Sequence, residues 1–318
     1  MFRRIALGLI VLLVLACHSG CGRGGAKGLR IAVVPKGTTQ EFWLTVKAGA
    51  DQAGREAGAR IIWNGPAKET DVAGQVAIIE DLTTQKVDAI VMAACDADGL
   101  IAPVRNAIDA GIPVVTIDSG IASDDAASFV ATDNIDGARK AADALAKLIG
   151  GRGKVALIPF VKGAATSNMR EQGFKDGIGG YPGMKLVAVQ YSQSDVDTGM
   201  KVTEDILTAH PDLAGIFAAN EAGAVGCARA LEQRGAAGKV KLVAFDAAPA
   251  EIDALRRGTI QALVVQNPFQ MGYRGVKAAL DVIAGREVEN RIDTGVTVAT
   301  KGNMREPDVH GVLFPLEK

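Results

Sequence analysis

From residue 29 onward the chain alternates short β-branched runs with segments of helical period, and no other feature constrains the fold as tightly. RIAVVP, ARIIW, VDAIVMA and IPVVTID read as strands, separated by helical stretches at about 41–57, 71–85 and 98–110. After the strand-like ASFVATD (127–133) the cycle restarts. KVALIPF, MKLVAVQY, LAGIFAA, KVKLVAFD and IQALVVQ are strands, with helices near 134–149, 167–178, 196–209, 222–234 and 249–257. A helix near 268–284 and a strand near 294–300 finish the chain. Such alternation builds βαβ units on a parallel sheet and sets the fold class as α/β. At 318 residues the chain exceeds one ordinary core, since single cores stop growing near roughly 250–300 residues. Two lobes are therefore expected.

The two halves share a plan. DAIVMAACDADGLIAPVRNA (88–107) and LAGIFAANEAGAVGCARAL (213–231) each run from an apolar strand through a polar residue and a glycine into a helix. An arginine follows each glycine by six residues, Gly99 to Arg105 and Gly223 to Arg229, and each segment precedes a strand ending in aspartate, Asp118 or Asp246. Duplication-like lobes, each a doubly wound parallel sheet, account for this repetition.

In open parallel α/β sheets ligands bind at the carboxyl ends of the strands. The residues just past each strand are Lys36 with Gln40, Phe42 and Trp43; Cys95 with Asp96; Asp118 with Ser119; Asn168 with Arg170; Asn220 with Glu221; Asp246; and Gln266 with Asn267. Nearly all are planar hydrogen-bonding groups suited to vicinal hydroxyls, and the Phe42-Trp43 pair supplies a flat apolar face for a sugar ring. Each residue also has a structural reading. The aromatic pair suits a helix core, the aspartates and Asn220 suit helix caps, and Arg170 suits an exposed helical surface. Lys36 and Arg170 balance Asp118 and Asp246, which favours a neutral polyol; Glu221 facing the cleft would admit an amino-bearing ligand. Cys95 and Cys227 lie in separate apolar or small-residue contexts and read as buried free thiols, with no metal site or cofactor expected.

Residues 1–28 read as a leader and tether. MFRR is a basic head, Ile5 to Leu15 an apolar run too short to commit to spanning a membrane, and VLAC places Cys17 as the lipidated first residue of a mature protein, with Cys21 as the alternative. GRGGAKG (22–28) is a flexible tether. The expected location is the periplasm or the outer face of the cytoplasmic membrane. A net charge of −1 gives a nucleic-acid partner no electrostatic support. Catalysis also lacks its signatures. PKGTTQ stands where a dinucleotide-binding G-x-G-x-x-G would follow the first strand, no G-x-S-x-G elbow occurs, and the histidines at 18, 210 and 310 fall in a leader, before a proline and in the tail.

The runs IAVVPKGTTQEFWLTVKAGA, AGIPVVTIDS, ATDNIDGA, TSNMREQGF, LTAHPDLAGIFAANEAGAVGCARAL, VAFDAAP and VVQNPFQMGYRGV resemble, in order and spacing, the ribose-binding protein group of bacterial periplasmic sugar-binding proteins. The resemblance implies the periplasmic binding protein type I fold: two lobes joined by three crossovers near 131–133, 266–268 and 291–294. It divides the chain into 29–131 plus 267–293 and 132–266 plus 294–318. Ligand groups in that group fall at Gln40, Phe42, Trp43, Asp118, Ser119, Arg170, Asn220, Asp246 and Gln266; Lys36 is a departure added from this sequence. QSDVD offers no second aromatic near Ser194, and Ser119 stands where ribose binders commonly carry arginine. The implied protein is a monomer that closes by hinge rotation on a monosaccharide and delivers it to an ABC permease. A receptor presenting its ligand to a membrane signalling partner is the alternative.

Overall fold

The structure is a computed structural model that describes residues 28–317. The leader, nearly all of the tether and both candidate lipidation cysteines lie outside the described residues. Six strands form the first sheet: β1 (Arg30–Val34), β2 (Arg60–Trp63), β3 (Ala89–Met92), β4 (Val114–Ile117), β5 (Ser128–Ala131) and β11 (Arg291–Asp293), in the order β11-β5-β4-β3-β1-β2. The second contains β6 (Arg152–Ile158), β7 (Gly183–Val189), β8 (Leu213–Ala218), β9 (Lys241–Phe245), β10 (Ala262–Val265) and β12 (Thr297–Thr300), in the order β12-β10-β9-β8-β6-β7. Five strands of each sheet follow the same order with numbering offset by five, and each sheet gains an edge strand from late in the chain, β11 or β12, which gives the internal repetition its structural meaning. All pairings are parallel except β10 with β12, which is antiparallel.

Central strands such as AIVM of β3 and ALVV of β10 are buried along their whole length, because helices cover both faces of each sheet. One face of the first sheet packs on α1 (Glu41–Ala57) and α9 (Pro268–Ile283); the other packs on α2 (Val72–Thr84) and α3 (Ile101–Asp109). In the second sheet, α4 (Asn134–Ile149) and α5 (Ala165–Ile178) cover one face. The other is covered by α6 (Val196–Ala209), α7 (Glu221–Gln233), α8 (Pro249–Arg257) and α10 (Pro307–Leu313). Glycine sets the closest helix approach. A Cβ at Gly49 would strike the Phe269 carbonyl oxygen and one at Gly272 the Val46 carbonyl oxygen, so α1 and α9 touch backbone to backbone.

The chain passes from the first sheet to α4 of the second between Ala131 and Asn134, and returns between Val265 and Pro268. It crosses again between Asp293 and Thr297, one short step beyond the expected place. Two elements escape the sequence reading. β11 is a three-residue strand, held by parallel pairing of Ile292 with Val130, and α10 follows Pro307 near the end of the chain. The expected strand at 294–300 is correspondingly shorter. Among the described residues no helix is long and apolar enough to cross a membrane.

Candidate functional site

The strand ends of both sheets meet at a narrow cleft between the lobes, lined on one side by Lys36, Gln40, Phe42, Trp43, Glu69 and Asp118. On the other side lie Phe160, Arg170, Asn220, Glu221, Asp246 and Gln266. Asp118 and Asp246 occupy matching positions, directly after β4 and β9. Both are non-glycine residues in the left-handed region, with φ of 54° and 85°, and each backbone N–H is anchored at 3.0 Å, to Val130 O and Val264 O respectively. Such strain costs of order 1–3 kcal/mol and persists where surrounding structure holds it. Here it presents a carboxylate from each lobe to the cleft.

Lys36, only 2% exposed, places Nζ 3.0 Å from Asp118 Oδ2 and 3.1 Å from Thr166 Oγ1 of the opposite lobe. The ammonium also lies 5.6 Å from the Trp43 ring centre and 5.3 Å from that of Phe160. Burial works against the charged form, but the carboxylates of Asp118 and Glu69 outweigh it and hold the Lys36 pKa above its ordinary value. The lysine stays charged.

Arg170 lies on the inward face of α5, 2% exposed, where the sequence also allowed a surface position. Its Nε donates to Asn134 Oδ1 at 2.8 Å and its Nη1 to the Ala219 carbonyl at 2.7 Å, while the guanidinium stacks 3.8 Å from the Phe245 ring centre. Burial pulls its pKa below the ordinary value, opposed by Asp246 and Asp118. Asp246 in turn accepts from Gln266 Nε2 at 2.7 Å and from the Glu221 N–H at 3.0 Å. Burial raises its pKa, against the pull of Arg170.

The aromatic pair serves both readings. Phe42 and Trp43 meet edge to face at 4.9 Å, line the cleft, and pack on the core cluster beneath β1 and β3. Trp43 is 1% exposed and its indole N–H donates to Glu69 Oε1 at 2.9 Å. Gln40 is the N-cap residue of α1 but forms no side-chain cap. Instead, both carboxylate oxygens of Glu221, on the other lobe, accept the first N–H groups of α1: Glu41 N at 3.2 Å and Phe42 N at 3.0 Å. Burial pushes the Glu221 carboxyl up to about 7, with the Phe42 N–H resisting and the Asp246 charge adding to the rise.

Asn220 caps its own helix by accepting from Gly223 N at 3.1 Å, and it also donates to Ser194 Oγ at 2.8 Å. Ser119, beside Asp118, is fully buried with its hydroxyl unpartnered among the described residues, and it is not among the side chains that line the cleft. Asp96 accepts from the backbone of Asp98 and Gly99, Asn267 caps α9, and Asn168 is exposed, so these strand-end residues have local roles. Burial raises the Cys95 thiol to about 12, which makes it inert. Among the described residues no group of side chains is arranged to hold a metal ion.

The sequence reading missed Glu69 and Phe160. Phe160 ends the run KVALIPF and is reached by the same strand-end rule; Glu69 sits in the loop after β2, a strand end left out of that reading. A wider cavity of about 440 Å³ lies beyond Phe42 and Glu221, walled by α8 and residues 312–317. Its lining is largely apolar, and the matched planar groups converge in the narrower cleft.

This architecture is that of the periplasmic binding proteins: the family's binding-protein domain matches residues 31–287, and the chain belongs to that family, within its ribose-type branch. It is 34% identical over 272 residues to a D-ribose/D-allose-binding protein of Pseudomonas aeruginosa, covering 83% of this chain and 85% of the relative. A carbohydrate transporter solute-binding protein of Agrobacterium radiobacter, solved with D-arabinose, superposes with a TM-score of 0.88 at 38% identity, covering 90% of this chain and 99% of that one. An ABC transporter solute-binding protein of Agrobacterium vitis with bound D-fucose gives 0.87 at 40% identity, covering 89% and 99%.

Proposed function

We propose that the chain is the solute-binding protein of an ABC-type sugar importer, and that it binds a monosaccharide between its lobes. The observation that carries this reading is an unpaired acceptor in the cleft. Gln266 Oε1, on a residue 2% exposed, is buried without a hydrogen-bond partner among the described residues, and Asp118 Oδ2 has only the Lys36 ammonium across from it. A buried acceptor left unpaired costs roughly 1–3 kcal/mol, and a ligand hydroxyl would satisfy it. The carboxylates accept from a polyol's hydroxyls, and Arg170 and Lys36 donate to them.

The charge of the cleft also favours a neutral sugar. Lys36 and Arg170 offset Asp118 and Asp246, while the two further carboxylates already have protein donors, Glu221 from α1 and Glu69 from Trp43 and Ser194. An amino-bearing ligand would find no free carboxylate there. Relatives that carry D-ribose, D-allose, D-arabinose or D-fucose support the same class.

In this reading residues 29–131 with 267–293 form one lobe and 132–266 with 294–318 the other, and they close by rotation at the three crossings. The ligand residues are Lys36, Gln40, Phe42, Trp43, Asp118, Arg170, Asn220, Asp246 and Gln266. The leader directs export and Cys17 carries the lipid anchor, so a monomer tethered to the outer face of the membrane delivers sugar to its permease. A thermal-shift screen with D-arabinose, D-fucose, D-ribose and D-allose tests the binding. Ligand at 100 times its Kd adds about 2.7 kcal/mol and raises Tm by a few degrees. The shift is expected with at least one of these sugars and is absent in Asp246→Ala; silence across the panel would refute the sugar assignment. Labelled fatty acid incorporated into the full chain and lost in Cys17→Ser tests the anchor.

A further inference from the structure

Two carboxylates grip the aromatic pair, and each reaches across the cleft. Glu221, at the start of α7 in the second lobe, takes the backbone N–H groups of Glu41 and Phe42. Glu69, in the first lobe, takes the indole N–H of Trp43 on Oε1 and, on Oε2, the hydroxyl of Ser194 from the second lobe at 2.9 Å. Ser194 is itself held by Asn220 Nδ2. Its backbone is strained at the same place, since Gln193 and Ser194 are consecutive non-glycine residues with φ of 54°. The N-cap of α1 lacks a side-chain cap of its own, so the first N–H groups of this helix depend on the other lobe for a partner.

We propose that Glu221 and Glu69 form a reciprocal clasp that holds the lobes together through the protein's own contacts and fixes Phe42 and Trp43 in place as they close. Both are positioning residues: they act through the aromatic wall rather than on the ligand. A side-chain acceptor at a helix N-terminus satisfies N–H donors that the helix itself leaves free. Closure therefore completes α1, and α1 carries the wall. When the lobes part, Phe42 loses its amide partner and Trp43 loses the Ser194 brace behind Glu69.

The inference rests on the sugar-binding reading only for what the wall faces, and its test needs no sugar. Amide exchange is followed at Glu41 and Phe42 in the full chain, and acrylamide quenching of Trp43 is followed in a Trp63→Phe background, which leaves Trp43 as the single tryptophan. Glu221→Ala is expected to speed exchange of both amides about tenfold or more, and Glu69→Ala to raise Trp43 quenching, with the amides of α4 unchanged in each. Glu221→Gln, with one acceptor oxygen, is expected to recover protection at one of the two amides. Wild-type exchange at Glu41 and Phe42 in Glu221→Ala would overturn the clasp. If that variant fails to fold, Glu221→Gln decides, and full wild-type protection at both amides overturns the proposal. A missing thermal shift with sugars would bear on the ligand alone.

Discussion

The two lobes share one strand order and matching strained aspartates, but they finish their halves of the cleft differently. In the second lobe the half-site is self-sufficient. Arg170 is tied to Asn134 and Ala219, and Asp246 to Gln266 and the Glu221 N–H, all within that lobe. In the first lobe Lys36 has Asp118 nearby but takes Thr166 from across the cleft, Phe42 N takes Glu221, and the Glu69 behind Trp43 takes Ser194. One scaffold, used twice, yields one half-site with internal partners and one with partners across the cleft. On the proposed closure, groups with internal partners would hold their positions when the lobes separate, whereas groups with partners across the cleft would report on closing.

Changes in the half with internal partners should break the most. Arg170→Ala strands Asp246 in a buried site, and losing one partner of a buried ion pair costs about 3–5 kcal/mol. It should give the largest fall in Tm by calorimetry as well as loss of sugar binding. Lys36→Met likewise strands the buried Asp118, 3.0 Å from the ammonium, and should lower Tm by a similar order. Adding Asp118→Asn to it should restore Tm without restoring binding, since the second change removes the unpaired charge; equal Tm in the single and double variants would count against a Lys36–Asp118 pair. Gly272→Ala drives a methyl group into the Val46 carbonyl and should cost about 1–3 kcal/mol. The loss belongs to the first lobe, so hydrogen exchange should rise in α1 and α9 and not in α4 and α5.

The smallest effect concerns pH. Glu221 faces Glu41 of α1, Asp246 after β9 and Glu251 of α8, and its carboxyl rises from 4.5 to about 7 in the closed arrangement. Closing thus takes up a proton. The contribution of Glu221 to closure is full below 4.5 and is lost as pH rises through about 7. Sugar affinity measured by calorimetry should be modestly higher at pH 5.5 than at pH 8, and this difference should flatten in Glu221→Gln. A steeper slope in the variant would assign the dependence elsewhere.

Most of the fold was legible because its signals are strong. Helices such as 134–149, 196–209 and 249–257 carry clear caps or closing glycines, and the parallel strands are continuous apolar runs. β11 was not, since RID has no apolar run and forms through partners more than 150 residues away in sequence, among them the Ser128 hydroxyl donating to the Glu289 carbonyl at a separation of 161. The α10 signals were present in Pro307 and Asp308 but lay beyond the last apolar repeat. For the site, the strand-end rule found nine of the residues that now line the cleft besides Glu221, because parallel strands all deliver their ends to one place. It placed Ser119 there too. Asp118 lines the cleft from a left-handed turn and Ser119 beside it is buried off the lining, and sequence spacing carries no trace of that turn. Glu69 escaped because its role depends on Trp43 and Ser194, two residues that meet only in the folded chain.

The most direct test of the account is a sugar titration followed by Trp43 fluorescence in the Trp63→Phe chain, with D-arabinose, D-fucose, D-ribose and D-allose as probes. A saturable change with at least one sugar, absent in the same chain carrying Asp246→Ala, is the predicted result: the wall of one lobe senses a ligand held by the other. Binding detected by calorimetry with no change at Trp43, or no binding by any of the four, would contradict it.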